Sequence, residues 1–155
     1  MGIRPVLAVA GLVLASVASA WSAEPLLGTW RLDHQEINGQ ETNSEPMILK
    51  VTKAGDKFAF LFSVPVNNIY FVSMSYTVKL DGSSAEVKNA QGDKIGFIRI
   101  TPNGPSQYNL VLKSSNRPDS DGKLMVSPDG KTLTSEAESM QGGRRIYSKQ
   151  TFLRQ

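Results

Sequence analysis

The chain has 155 residues with no cysteine and a single histidine, and 17 basic residues against 14 acidic ones give a formal charge of +3. That length suits one ordinary domain. The missing cysteines exclude disulfides, thiolate metal sites and a cysteine nucleophile. Apart from Arg144-Arg145 the basic residues stand singly, so the charged stripe that a nucleic acid needs is missing and no nucleic-acid partner is expected.

The chain opens with "MGIRPVLAVAGLVLASVASA". Arg4 gives a positive start, Val6 to Val17 an apolar run, and Ala18-Ser19-Ala20 a small-x-small cleavage site, the layout of a secretory signal peptide. The run is shorter than the roughly 18 residues of a spanning helix, so no stable membrane anchor is expected. Residues 1–20 are read as the leader and 21–155 as the mature domain, periplasmic or secreted. A cut after Ala23 is the alternative, but it leaves Trp21 where a small residue is wanted.

After Gly28 the pattern has period two, and no helical stripe appears. The strand candidates, in order, are "TWRLDHQEI", "MILKVTK", "KFAFLFSVPV", "IYFVSMSYTVKL", "AEVKN", "KIGFIRI", "QYNLVLKS", "KLMVS", "KTLTSEAES" and "RRIYSKQTFLRQ". Between them lie the loop "NGQETNSEP", the turns "AGD", "NN", "DGSS" and "AQGD", the loops "TPNGPS" and "SNRPDSDG", and the turns "PDG" and "MQGG". Short strands at even spacing with hairpin-length connections predict an all-β, antiparallel up-and-down barrel of eight to ten strands. Asp119, Asp121 and Gly122 only faintly suggest a calcium loop. The third acid and the distal glutamate of that pattern are missing, so a turn is expected there and no metal site.

Alternation assigns faces. Trp30, Leu32 and His34 share one side of the first strand, with Glu36 beyond them near the rim. Phe58, Phe60, Phe62 and Val64 share a face, as do Tyr70, Val72, Met74, Tyr76, Val78 and Leu80. Met47, Leu49 and Val51 continue the set, followed by Tyr108, Leu110 and Leu112. One apolar and one wet face per strand suits a sheet closed on itself. The last strand leaves two choices open, an Ile146/Phe152 face or a Tyr147/Leu153 face.

Three pieces of the sequence carry a family likeness: "LGTWRL", "SPDGKTLTSEA" and the terminal "TFLRQ". Gly28-Thr29-Trp30 resembles the Gly-x-Trp signature of lipocalins. The order and spacing of all three pieces resemble bacterial exported lipocalin-like domain proteins, which are small calycin-type barrels. The resemblance implies that Trp30 packs across the closed end of a barrel beneath Arg154. Gly28 then lets the chain turn in. The C-terminal helix of lipocalins has no counterpart in this sequence.

The barrel residues divide between lining and filling. His34, Phe58, Phe60, Phe62, Met74, Tyr76 and Tyr108 are the candidate ligand contacts. The competing expectation is that the aromatics simply fill the interior, since protein interiors are close-packed. The leading reading is an exported barrel that binds a small apolar or amphipathic molecule, with His34 or a tyrosine hydroxyl fixing its orientation. The alternative is a protein-interaction barrel with a filled core, resembling small exported inhibitors. Catalysis by His34 with Glu36 is the weakest reading. No cofactor is expected, because the chain has no Gly-rich phosphate cradle and no serine elbow.

Overall fold

The computed structural model describes residues 24–155, so the leader and its cleavage site lie outside the described residues. A single 3-10 turn, Glu24–Leu26, precedes eleven strands. These are β1 Gly28–Ile37, β2 Gln40–Thr42, β3 Ile48–Ala54, β4 Lys57–Val66, β5 Ile69–Val78 and β6 Ala85–Asn89. They continue with β7 Lys94–Pro102, β8 Gln107–Ser114, β9 Ser120–Val126, β10 Thr132–Gln141 and β11 Arg144–Arg154.

Every neighbouring pair is antiparallel. From β3 to β11 each strand pairs with the next in sequence, while β1 pairs with both β3 and β11. The sheet therefore closes as a ten-stranded up-and-down barrel, with β2 folded back onto the upper end of β1. Closure pairs most of the sheet edge that would otherwise stay open, although β6 meets β5 only at Met74–Asn89 and Ser75–Lys88. This is the all-β barrel expected from the spacing, at the upper end of the expected strand count.

The hairpins follow from local chemistry. Val66 pairs with Ile69 across Asn67-Asn68, both at positive φ (52° and 64°). Ile37 pairs with Gln40 across Asn38-Gly39, with φ values of 51° and 79°. Two residues with positive φ match the right-handed strand twist, and asparagine and glycine pay least for that conformation. The second hairpin puts a strand inside the loop expected after the first one. Ser120 to Gly122, expected as part of a turn, open β9 instead, and Gly122 packs so tightly that a Cβ would overlap the Glu136 carbonyl oxygen.

The ends of the ten barrel strands nearest Trp30 form the base, and the opposite ends form the rim. Trp30, Phe60, Phe152, Leu49, Ile100, Leu133, Val51, Val78 and Val87 are almost fully buried and fill the lower half. Phe152 faces this core and Tyr147 and Leu153 do not, which settles the open choice on the last strand in favour of the Ile146/Phe152 face.

Candidate functional site

The base is sealed by a small set of contacts. The Trp30 indole donates to the Leu26 carbonyl at 3.0 Å, so the 3-10 turn acts as a plug beneath it. The Arg154 guanidinium lies 4.0 Å from the Trp30 ring centre. It donates to the carbonyls of Leu27 (2.6 Å), Pro25 (2.8 Å) and Gly130 (2.6 Å). Gly28 has φ +138°, and a Cβ there would meet the Arg154 guanidinium. Gly28 is therefore needed both for its backbone angle and for the space it leaves to Arg154.

Two bulges decide which side chains face inward above this core. Leu32 pairs with Phe152, but His34 pairs with Thr151, so Asp33 is an extra residue in β1. A one-residue slip moves every later side chain to the other face. Gln35 and Ile37 now share the inner face with Gln150 and Ser148, and His34 and Glu36 join Thr151 and Lys149 outside. His34 Nδ1 lies 3.1 Å from Asp33 Oδ2, a contact that adjacent residues of a regular strand, pointing to opposite faces, do not make. Its Nε2 lies 3.7 Å from Glu36 Oε1. The expectation that His34 shares the face of Trp30 is thus corrected: the single histidine stands on the outer wall.

The second bulge is at Ser73 in β5. Phe62 pairs with Met74 and Ser63 with Val72, so above this point Val64 faces Phe71 and Val66 faces Ile69 on the inner side. Tyr70 and Val72, expected to continue the face of Met74 and Tyr76, turn outward instead. The Ser73 hydroxyl donates to the Phe62 carbonyl at 3.1 Å and anchors the bulge.

The expected ligand contacts therefore fall into three groups. Phe58, Phe60, Tyr76 and Tyr108 sit in the packed lower half, where Phe60 and Tyr76 stack at 4.8 Å between ring centres. Burial pushes the hydroxyl pKa of Tyr76 well above the usual tyrosine range and that of Tyr108 upward too. Phe62 and Met74 are only partly buried and pack against this core from above, together with Leu110 and Leu112. His34 lies outside. Sequence alternation missed Gln35, Ile37, Ile69 and Phe71, because nothing in the alternation marks either bulge, and Gln150 lies on the Ile146/Phe152 face that alternation left open.

The inner surface of the upper half has two unlike sides. On β4, β5 and β8 it carries Phe62, Val64, Phe71, Met74, Leu110 and Leu112. On β1, β10 and β11 it carries Gln35, Ser135, Ser139, Ser148 and Gln150 together with Ile37, Ala137 and Ile146. The Gln150 amide donates to the Gln35 side-chain oxygen at 3.2 Å. An apolar wall facing one that mixes neutral hydrogen-bonding groups with Ile37, Ala137 and Ile146 can take up a largely apolar molecule with a few polar groups. The broad concavities of the outer wall are different. One is lined by Lys57, Ser75, Thr77 and Lys79, another by Asn109, Lys123, Glu136 and Glu138. No group of three or more histidine or acidic side chains placed to hold a metal occurs among the described residues.

The closed ten-stranded barrel has a calycin, lipocalin-like fold. Among solved structures it is similar to zebrafish ileal bile acid-binding protein complexed with cholic acid. The TM-score is 0.60 at 14% identity, and the match covers 84% of this chain and 99% of that one. No family model matches the sequence, and no curated protein matches it.

Proposed function

We propose that this protein is an exported binding barrel that holds a small amphipathic molecule in its upper chamber. The observation that carries the reading is the asymmetry of that chamber, with Phe62, Met74, Leu110 and Leu112 partly buried above a filled base and the Gln35–Gln150 pair across from them. Burial against the apolar wall supplies the affinity, at about 25 cal/mol per Å² of apolar surface removed from water. The glutamines and serines orient the polar side of the ligand. A solved protein of similar fold is a bile acid-binding protein complexed with cholic acid, which supports a ligand of this general kind. The reading is binding and not catalysis, since His34 is bracketed by Asp33 and Glu36 on the outer wall, away from the chamber. The lipocalin-like resemblance of "LGTWRL" and the leader together support an exported bacterial protein.

Native mass spectrometry of protein recovered from its own cells tests the reading directly. A bound small molecule that leaves on denaturation is expected, and an environment-sensitive apolar dye should then compete for one site per chain. Protein that carries nothing and binds no such dye would overturn it.

A second reading, a protein-interaction barrel, has its own observation. Val66, Ile69, Tyr70, Phe71 and Val72 are all exposed on one hairpin.

A further inference from the structure

That hairpin has an unfinished edge. β6 pairs with β5 only at Met74–Asn89 and Ser75–Lys88. The four residues from Ile69 to Val72 therefore pair with β4 and, like the bulged Ser73, have no partner from β6 on the other side. Five of the seven exposed large hydrophobic residues among those described belong to this hairpin. Of the other two, Phe97 is covered by the Lys94 ammonium, 3.7 Å from its ring centre.

Natural sheets blunt an exposed edge with charge, proline or a covering segment. Here β4 carries Pro65, but the upper half of β5 has no proline, and residues 61–78 contain no charged side chain at all. Both faces of the hairpin are apolar, with Ile69 and Phe71 inward and Tyr70 and Val72 outward. A bilayer suits the side chains but not the backbone, because the open amide and carbonyl groups of Ile69 to Ser73 would lose water without gaining partners. A strand satisfies both. A charge-free strand also meets its own copy without like-charge repulsion, as an isologous antiparallel pair requires.

We propose that two copies of this chain associate by antiparallel pairing of the β5 edge over Ile69–Ser73, covering the apolar hairpin in a two-fold dimer. The pairing uses the outward residues Tyr70 and Val72 and the backbone, so it is independent of whether the chamber holds a ligand.

Sedimentation equilibrium of the full chain without detergent, run beside Tyr70→Lys and Val72→Lys variants, tests it. A concentration-dependent dimer is expected, weakened at least tenfold by either lysine, with dye binding to the chamber unchanged. The amides of Ile69 to Ser73 should also exchange more slowly as the chain is concentrated. A wild type that stays monomeric at the highest soluble concentration would overturn the proposal. So would a dimer indifferent to both lysines, which must be joined elsewhere, the apolar leader included. A monomer that sediments with phosphatidylcholine vesicles would assign the hairpin to lipid instead.

Discussion

Arg154 joins parts of the chain that are remote in sequence. It bonds to carbonyls at Pro25, Leu27 and Gly130, and stacks on Trp30. Hydrogen bonds from a charged donor each stabilise by about 1.5–3 kcal/mol in sheltered sites, but this guanidinium is exposed and water competes for it. Arg154→Met is therefore expected to cost about 1–2 kcal/mol and to lower the melting temperature by roughly 3–6 °C in a thermal scan. Tyr76 gives a pH-dependent test. Its folded pKa is raised by burial above the ordinary value of 10.0, so its contribution is fully present below pH 10 and is lost as pH rises from there toward the folded value. Urea titrations between pH 9 and pH 11.5 should show stability falling with pH, and Tyr76→Phe should flatten that fall. An equal slope in the variant would mean that other groups control alkaline unfolding.

At the scale of an element, the two bulges do more than any single side chain. Each adds one residue to one strand and exchanges the inner and outer faces above it. The Asp33 bulge removes His34 from the chamber and admits Gln35. The Ser73 bulge turns Phe71 inward and Tyr70 outward. Binding of an apolar dye separates this arrangement from simple alternation. Phe71→Glu places a carboxylate on the apolar wall and should weaken binding at least about tenfold. His34→Ala should leave the affinity within about twofold and the stability within about 0.5 kcal/mol, as for an ordinary surface change. The reverse pattern would restore His34 to the site.

The whole molecule has a fully buried base beneath an upper half whose inner side chains are only partly buried, and under the proposed function the two halves should respond differently to the same truncation. Phe60 is fully buried, so Phe60→Ala leaves a cavity and should cost about 3–5 kcal/mol. Phe62 is only partly buried, so under the proposed function Phe62→Ala should cost clearly less while changing dye affinity. Equal losses at both positions, with no dye bound by the parent, would mean that the interior is filled to the rim. Export belongs to this scale as well. N-terminal sequencing of protein from the cell envelope should begin at Trp21, or at Glu24 if the later cut is used. A chain retaining Met1 or Gly2 in the inner membrane would contradict the leader.

The sequence by itself determined the ten strands of the barrel and their antiparallel order, and its lipocalin resemblance pointed to the base, while β2 fell in a segment read as a loop. These depend on signals between near neighbours: period-two alternation, Asn67-Asn68 at a turn, and glycine before Trp30. The Ile37–Gln40 hairpin was equally local, with Asn-Gly as its signal. What only the tertiary structure decided is which residues look into the chamber. A bulge is set by how one strand registers against another far away in sequence, as β1 does against β11. Alternation within a strand cannot record that slip, and here two slips decide that Gln35 and Phe71 face inward while His34 and Tyr70 face out.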